Sequence, residues 1–177
     1  MRTFIALELP ESFIEETALL AASMSRRVAG RFMPRESYHL TLAFLGEVDE
    51  VDVRRAMDAV DAACAGREPV ALSCNGLGTF GRKGDATLWL GLVPNEGLTE
   101  LAARVRDELA RRDIASDRKN FVPHITIARR ARIAKGALDG LAFPFDALGV
   151  RVTLFKSTLA PTGAQYKPLY SAELGAS

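Results

Sequence analysis

The 177-residue chain has little of what usually marks a metal centre or a disulfide scaffold: two cysteines and two histidines in all. Cys64 and Cys74 form no Cys-x-x-Cys pair and lack neighbouring partners for zinc, so both read as small core residues. Charge of one sign is also missing. With 23 basic and 22 acidic residues the formal net charge is +1, which excludes a polycation that coats nucleic acid by bulk electrostatics. No apolar run reaches the roughly eighteen residues of a membrane-crossing helix. The opening Met1–Glu8 is too short, and too acidic at its end, to act as a signal peptide. A soluble cytoplasmic protein is expected. Pro/Ser-rich linkers and low-complexity segments are absent, so residues 1–177 are expected to form a single domain. There is no Gly-x-Ser-x-Gly elbow for a serine hydrolase. The glycine-rich stretch 76–84 lacks the Gly-Lys-Ser/Thr ending of a phosphate-gripping loop and reads as a hairpin or cleft-edge turn.

What is present suits a globular α+β protein, with 48% apolar residues. Thr3–Leu9 reads as a buried strand, followed by a helix that opens at Pro10-Glu11, runs to about Val28 and stops at Gly30. Tyr38–Leu45 reads as a strand, and a helix begins at Asp49 or Glu50. Val70–Cys74 and Ala86–Val93 read as strands around the glycine-rich turn. Leu98, Leu101, Val105 and Leu109 have the spacing of a buried helical stripe. Pro123–Ala128, Val150–Leu154 and Gln165–Tyr170 complete a second half that echoes the first, which predicts two sheets rather than one parallel doubly wound sheet. Basic residues cluster at Arg26-Arg27 with Arg31 and Arg35, at Arg111-Arg112 with Arg118-Lys119, and at Arg129-Arg130 with Arg132 and Lys135.

The sharpest signal lies in the two histidines themselves, which stand in His39-Leu40-Thr41-Leu42 and His124-Ile125-Thr126-Ile127. With ten threonines in the chain, both histidines would acquire one at that offset by chance about once in 300 trials. On a strand, residues two apart share a face. Each histidine therefore points with its threonine to one side, while the aliphatic pair anchors the other side in a core. If two such strands meet across a pseudo-twofold axis, two imidazoles and two hydroxyls converge. In-line attack on a cyclic phosphate needs such a set: one imidazole takes a proton from water and the other gives one to the departing ribose oxygen. The threonines donate to the non-bridging oxygens. A zinc site is disfavoured, because no third histidine, paired cysteine or acidic cluster accompanies the two.

These motifs resemble the 2H phosphoesterase superfamily, and in particular the RNA 2',3'-cyclic phosphodiesterases formerly called 2'-5' RNA ligases. The resemblance extends through Met1–Pro10, Tyr38–Glu47, Leu88–Gly91, Phe121–Arg129 and the tail from Ser157-Thr158-Leu159 through Gly163 to Tyr166. It departs at Phe80-Gly81, where relatives often carry Phe-Pro. The resemblance implies a bilobal α+β fold of two mainly antiparallel sheets related by a pseudo-twofold axis, with helices outside and a central cleft. It implies metal-free hydrolysis of an RNA 2',3'-cyclic phosphate, or of a small cyclic nucleotide, to a 2'-phosphate, with no cofactor and no obligate protein partner. His39 would be the proton donor and His124 the proton acceptor. Thr41, Thr126 and Arg129 would bind the phosphate, and Phe44 would stack on the terminal base. Ligation to a 2'-5' linkage and a non-catalytic RNA-end or nucleotide-binding module are the alternatives. Strand parity conflicts with two of these assignments: Phe44 and Arg129 each lie five places after their histidine, so a regular strand aims both away from the active face. A bulge or strand end is therefore expected just after Thr41 and just after Thr126; without it, Arg130 would be the better phosphate ligand.

Overall fold

The computed structural model describes residues 1–175. Strand β1 (Arg2–Leu7) leads into helix α1 (Glu11–Ser25), strand β2 (Ala29–Phe32), a short 3-10 turn at Arg35–Ser37 and strand β3 (Leu40–Glu47). Helix α2 (Glu50–Cys64), strands β4 (Val70–Leu72), β5 (Cys74–Arg82) and β6 (Asp85–Leu92), and helix α3 (Glu96–Ala110) follow. Strands β7 (His124–Arg132), β8 (Ala147–Gly149), β9 (Arg151–Ala160) and β10 (Gly163–Glu173) complete the chain. Asp49 and Asn95 cap α2 and α3 by accepting from the backbone N–H of Asp52 and Leu98 at 2.8 and 2.9 Å. No helix among the described residues is long and apolar enough to cross a membrane.

The strands form two four-stranded antiparallel sheets, ordered β10-β9-β1-β3 and β2-β7-β6-β5, with a separate small β4-β8 ladder. The order encodes a pseudo-twofold. In each half a β-α-β unit (β1-α1-β3, then β6-α3-β7) pairs its own two strands, and a further strand flanks the first of them, β9 beside β1 and β5 beside β6. The expected bilobal α+β architecture is the observed one. Along β3 and β7 the aliphatic residues Leu40, Leu42, Ile125 and Ile127 are fully buried while Thr41 and Thr126 face outward. Burying an aliphatic side chain contributes about 1.5–3 kcal/mol, so this alternation fixes which face each histidine strand presents.

Two local readings need correction. Gly30 is not a helix stop: α1 ends at Ser25, and Gly30 lies within β2, where an added Cβ would sit 3.1 Å from the Ala131 Cα. Nor is the glycine-rich stretch mainly a turn. Most of it is β5, and only Lys83-Gly84 turn the chain. Gly78 pairs with Trp89 across the ladder, and a Cβ there would collide with the indole ring. The glycine makes a seat for that ring.

Candidate active site

The two histidines are held alike. His39 Nδ1 lies 2.7 Å from the Ser37 carbonyl oxygen, and His124 Nδ1 lies 2.7 Å from that of Val122. A carbonyl only accepts, so each Nδ1 carries hydrogen and donates, and each Nε2 is left to exchange a proton. The restraint is local in origin, since in both cases the acceptor lies two residues upstream. His39 Nε2 is 3.0 Å from Thr41 Oγ1, on the shared strand face that parity requires. In the neutral ring the hydroxyl donates to Nε2; in the imidazolium Nε2–H donates to the hydroxyl.

The rings rest on different supports. His39 lies among Phe4, Tyr166 and Phe155, at centroid distances of 4.8, 5.2 and 6.4 Å. His124 packs against Phe80 at 5.1 Å and Trp89 at 5.7 Å. Burial in the aromatic nest lowers the His39 pKa from its ordinary 6.5 to about 4; the Ser37 hydrogen bond opposes this, and the charges of His124 and Arg129 add to the lowering. The two sheets meet here: β7, which carries His124 and Arg129, lies in contact with β3, which His39 heads.

The parity conflict is resolved by paired bulges. In the β1-β3 ladder Ala6 faces Thr41 and Ile5 faces Ala43, so Leu42 is an extra residue; in the β6-β7 ladder Trp89 faces Thr126 and Leu88 faces Ala128, so Ile127 is. Each bulge follows its threonine and buries two consecutive residues, Leu42-Ala43 and Ile127-Ala128. The residue five after each histidine thereby returns to the outer face. Phe44 is 48% exposed, with its ring 6.0 Å from that of Phe4. A second irregularity, with Arg130 at a φ of 52°, turns both Arg129 and Arg130 out of the core.

Sequence reasoning missed two residues that hold the first bulge. Arg106 on α3 donates from Nε to the carbonyl of the bulged Leu42 at 3.2 Å and from an Nη to the Lys119 carbonyl at 2.8 Å. The Asp117 carboxylate accepts from the Phe44 N–H at 2.9 Å, while the Asp117 backbone N–H donates to the Phe44 carbonyl at 3.0 Å. Arg106 and Asp117 also form a 3.7 Å ion pair. Because β3 is an edge strand, its outward N–H and C=O groups need such partners. The loop that leads to His124 therefore clips the strand that follows His39. No sequence pattern signals this, since the contacts span 64 and 73 residues.

A two-lobed α+β fold with two symmetric histidines, one at the head of β3 and one opening β7, is the arrangement expected of a two-histidine phosphoesterase. The model of the 2'-5' RNA ligase superfamily matches residues 10–157, and the chain belongs to that family. It is 32% identical to an RNA 2',3'-cyclic phosphodiesterase of Thermotoga maritima over 98% of this chain and 95% of the relative. Among solved structures it resembles Escherichia coli LigT in the apo form, with a TM-score of 0.81 and 30% identity over 98% of this chain and 96% of LigT. LigT complexed with 3'-AMP is also similar, with a TM-score of 0.78 and 29% identity over 99% of this chain and 98% of LigT.

Proposed function

We propose that the cleft opens the 2',3'-cyclic phosphate at an RNA end to a 2'-phosphate without a metal. The observation that supports this best is the matched pair of Nδ1-anchored imidazoles on symmetric strands, each leaving Nε2 for proton exchange. Relatives bearing the name RNA 2',3'-cyclic phosphodiesterase support the substrate class. Water attacks phosphorus as its proton passes to His124 Nε2. The bond from phosphorus to O3' breaks, and His39 Nε2–H delivers a proton to that oxygen, leaving a 3'-hydroxyl and a 2'-phosphate. Thr41, Thr126 and Arg129 hold the non-bridging oxygens, whose charge grows in the transition state. Phe44, exposed after the bulge, serves as the platform for the terminal base, a contact any base can make.

His39 is neutral in the free protein at neutral pH, given its pKa of about 4. It gains its proton when the anionic phosphate lodges beside the ring, since a neighbouring negative charge favours the imidazolium against the burial that disfavours it. Protonation also ends the Thr41 donation to Nε2 and frees that hydroxyl to turn to the phosphate. DNA ends are excluded by chemistry, because the cyclic ring needs a 2'-oxygen. The test is to replace His39 and His124 singly by alanine and follow both turnover of a cyclic-phosphate oligoribonucleotide and its binding. Loss of turnover with binding retained supports the assignment; a wild type that binds yet never cleaves points to an RNA-end binding module instead.

A further inference from the structure

The three basic clusters of the chain are only partly paired. In the first, Arg27 donates to the Asp139 carbonyl, Arg31 to the Thr162 carbonyl, and Arg35 pairs with Glu11. In the second, Arg111 and Arg112 both pair with Glu108. Among the described residues Arg26 of the first cluster, Arg118 and Lys119 of the second and Arg130 and Arg132 of the third make no ion pair and no side-chain hydrogen bond, and the same holds for Arg82 and Lys83 at the β5-β6 turn; of these, Arg82, Lys83, Arg130 and Arg132 belong to the sheet that carries His124 and to its β5-β6 turn.

Sheet topology brings these four together. Gly81 pairs with Ala86, and Ala86 pairs with Ala131, so Arg82, Asp85 and the two arginines flanking Ala131 end on the same rim of one sheet. Ala131 is buried while Arg130 and Arg132 are exposed, which puts them off the core face; Arg82 lies two places beyond the exposed Phe80 on the same strand. Asp85 is the one acid in this row. Arg130 is held in the left-handed region, at a φ of 52°, a conformation that costs a non-glycine residue stability and that tends to persist where function uses it. Phe80, 43% exposed, stands between this rim and the site, its ring 5.1 Å from that of His124. From Trp89 to Asp85 the strand runs about 13 Å.

We propose that this rim is a track for single-stranded RNA, on which Phe80 stacks a base 5' of the terminal nucleotide and Arg82, Lys83, Arg130 and Arg132 meet the backbone phosphates. The proposal rests on the cyclic-phosphate reading of the cleft and extends it from the terminal nucleotide to the chain behind it. An aromatic step followed by unpaired cations is the chemistry that grips a single strand without reading its sequence. It also explains how a chain of net charge +1 binds a polyanion: the phosphate affinity is local.

The test compares wild type with R82Q/K83Q and, as a second variant, R132Q. Turnover of a nucleoside 2',3'-cyclic phosphate reads the cleft alone, and anisotropy of a labelled pentaribonucleotide ending in a 2'-phosphate reads the track without catalysis. For the double variant we expect mononucleotide turnover within about twofold of wild type and pentanucleotide affinity about tenfold weaker, with a log-log salt slope shallower by about 1.4 for two lost contacts. Unchanged pentanucleotide binding, or equal losses on both ligands, would overturn the track. A wild type that leaves the nucleoside 2',3'-cyclic phosphate uncleaved would instead sink the phosphodiesterase reading, and the binding comparison would still decide the track.

Discussion

Replacing His39 by asparagine should flatten the dependence of stability on pH between about pH 7 and about pH 4.5. Burial among Phe4, Phe155 and Tyr166, with the charges of His124 and Arg129 nearby, holds the imidazole pKa at about 4 in place of 6.5. Between those values the unfolded chain takes up a proton that the folded protein refuses. Stability carried by the neutral ring is therefore fully present above pH 6.5 and is lost as pH falls through the folded-state pKa. A tenfold difference in proton affinity between the folded and unfolded chains corresponds to about 1.4 kcal/mol, so wild type should lose about 2 kcal/mol more than the variant over this interval. Carboxylates elsewhere titrate in both proteins and cancel in the difference. Asparagine is the apt replacement because its amide can still donate to the Ser37 carbonyl. Urea unfolding at the two pH values measures the effect. Parallel losses in the two proteins would refute the claim that the nest keeps His39 neutral, and with it the need for substrate to bring the proton.

Three other outcomes follow from the geometry. Asp117→Ala removes the acceptor of the Phe44 N–H and the ion-pair partner of Arg106; at about 1 kcal/mol for the hydrogen bond, KM for a cyclic nucleotide should rise roughly fivefold while kcat changes little, as steady-state kinetics would show. Gly78→Ala would displace the Trp89 ring that supports His124; a loss of about 1–3 kcal/mol in chemical unfolding is expected, together with lower kcat. Thr41→Val and Thr126→Val each remove one donor to the growing charge and should lower kcat by about 10²-fold, with equal falls in kcat/KM.

The histidine pair was legible in the sequence because its pattern is local: a histidine, a threonine two places on and an aliphatic residue on either side of that threonine specify a face and an anchor. The bulges were legible for a subtler reason. Once Phe44 and Arg129 were given roles, the period of two could not satisfy them, and an extra residue after each threonine was the simplest repair. β2 escaped notice because Ala29-Gly30-Arg31-Phe32 is short, mostly exposed and without alternation, and its edge pairing to β7 is supplied by tertiary contact. The Arg106–Asp117 clip was equally silent, since a guanidinium that satisfies a bulge carbonyl looks in sequence like any helix-surface arginine. The glycines of β5 gained meaning only with Trp89 lying over Gly78. A glycine chosen to make room cannot be told by sequence alone from one chosen to make a turn.

The most direct test of the account is to incubate the protein, in excess EDTA, with an oligoribonucleotide ending in a 2',3'-cyclic phosphate and to identify the product across about pH 5 to 9. At saturating substrate, where His39 holds its proton, two imidazoles acting as acid and base predict release of the 2'-phosphate with a bell-shaped rate profile. Turnover that is absent in EDTA and restored by a divalent metal, or formation of a 3'-phosphate, would contradict it.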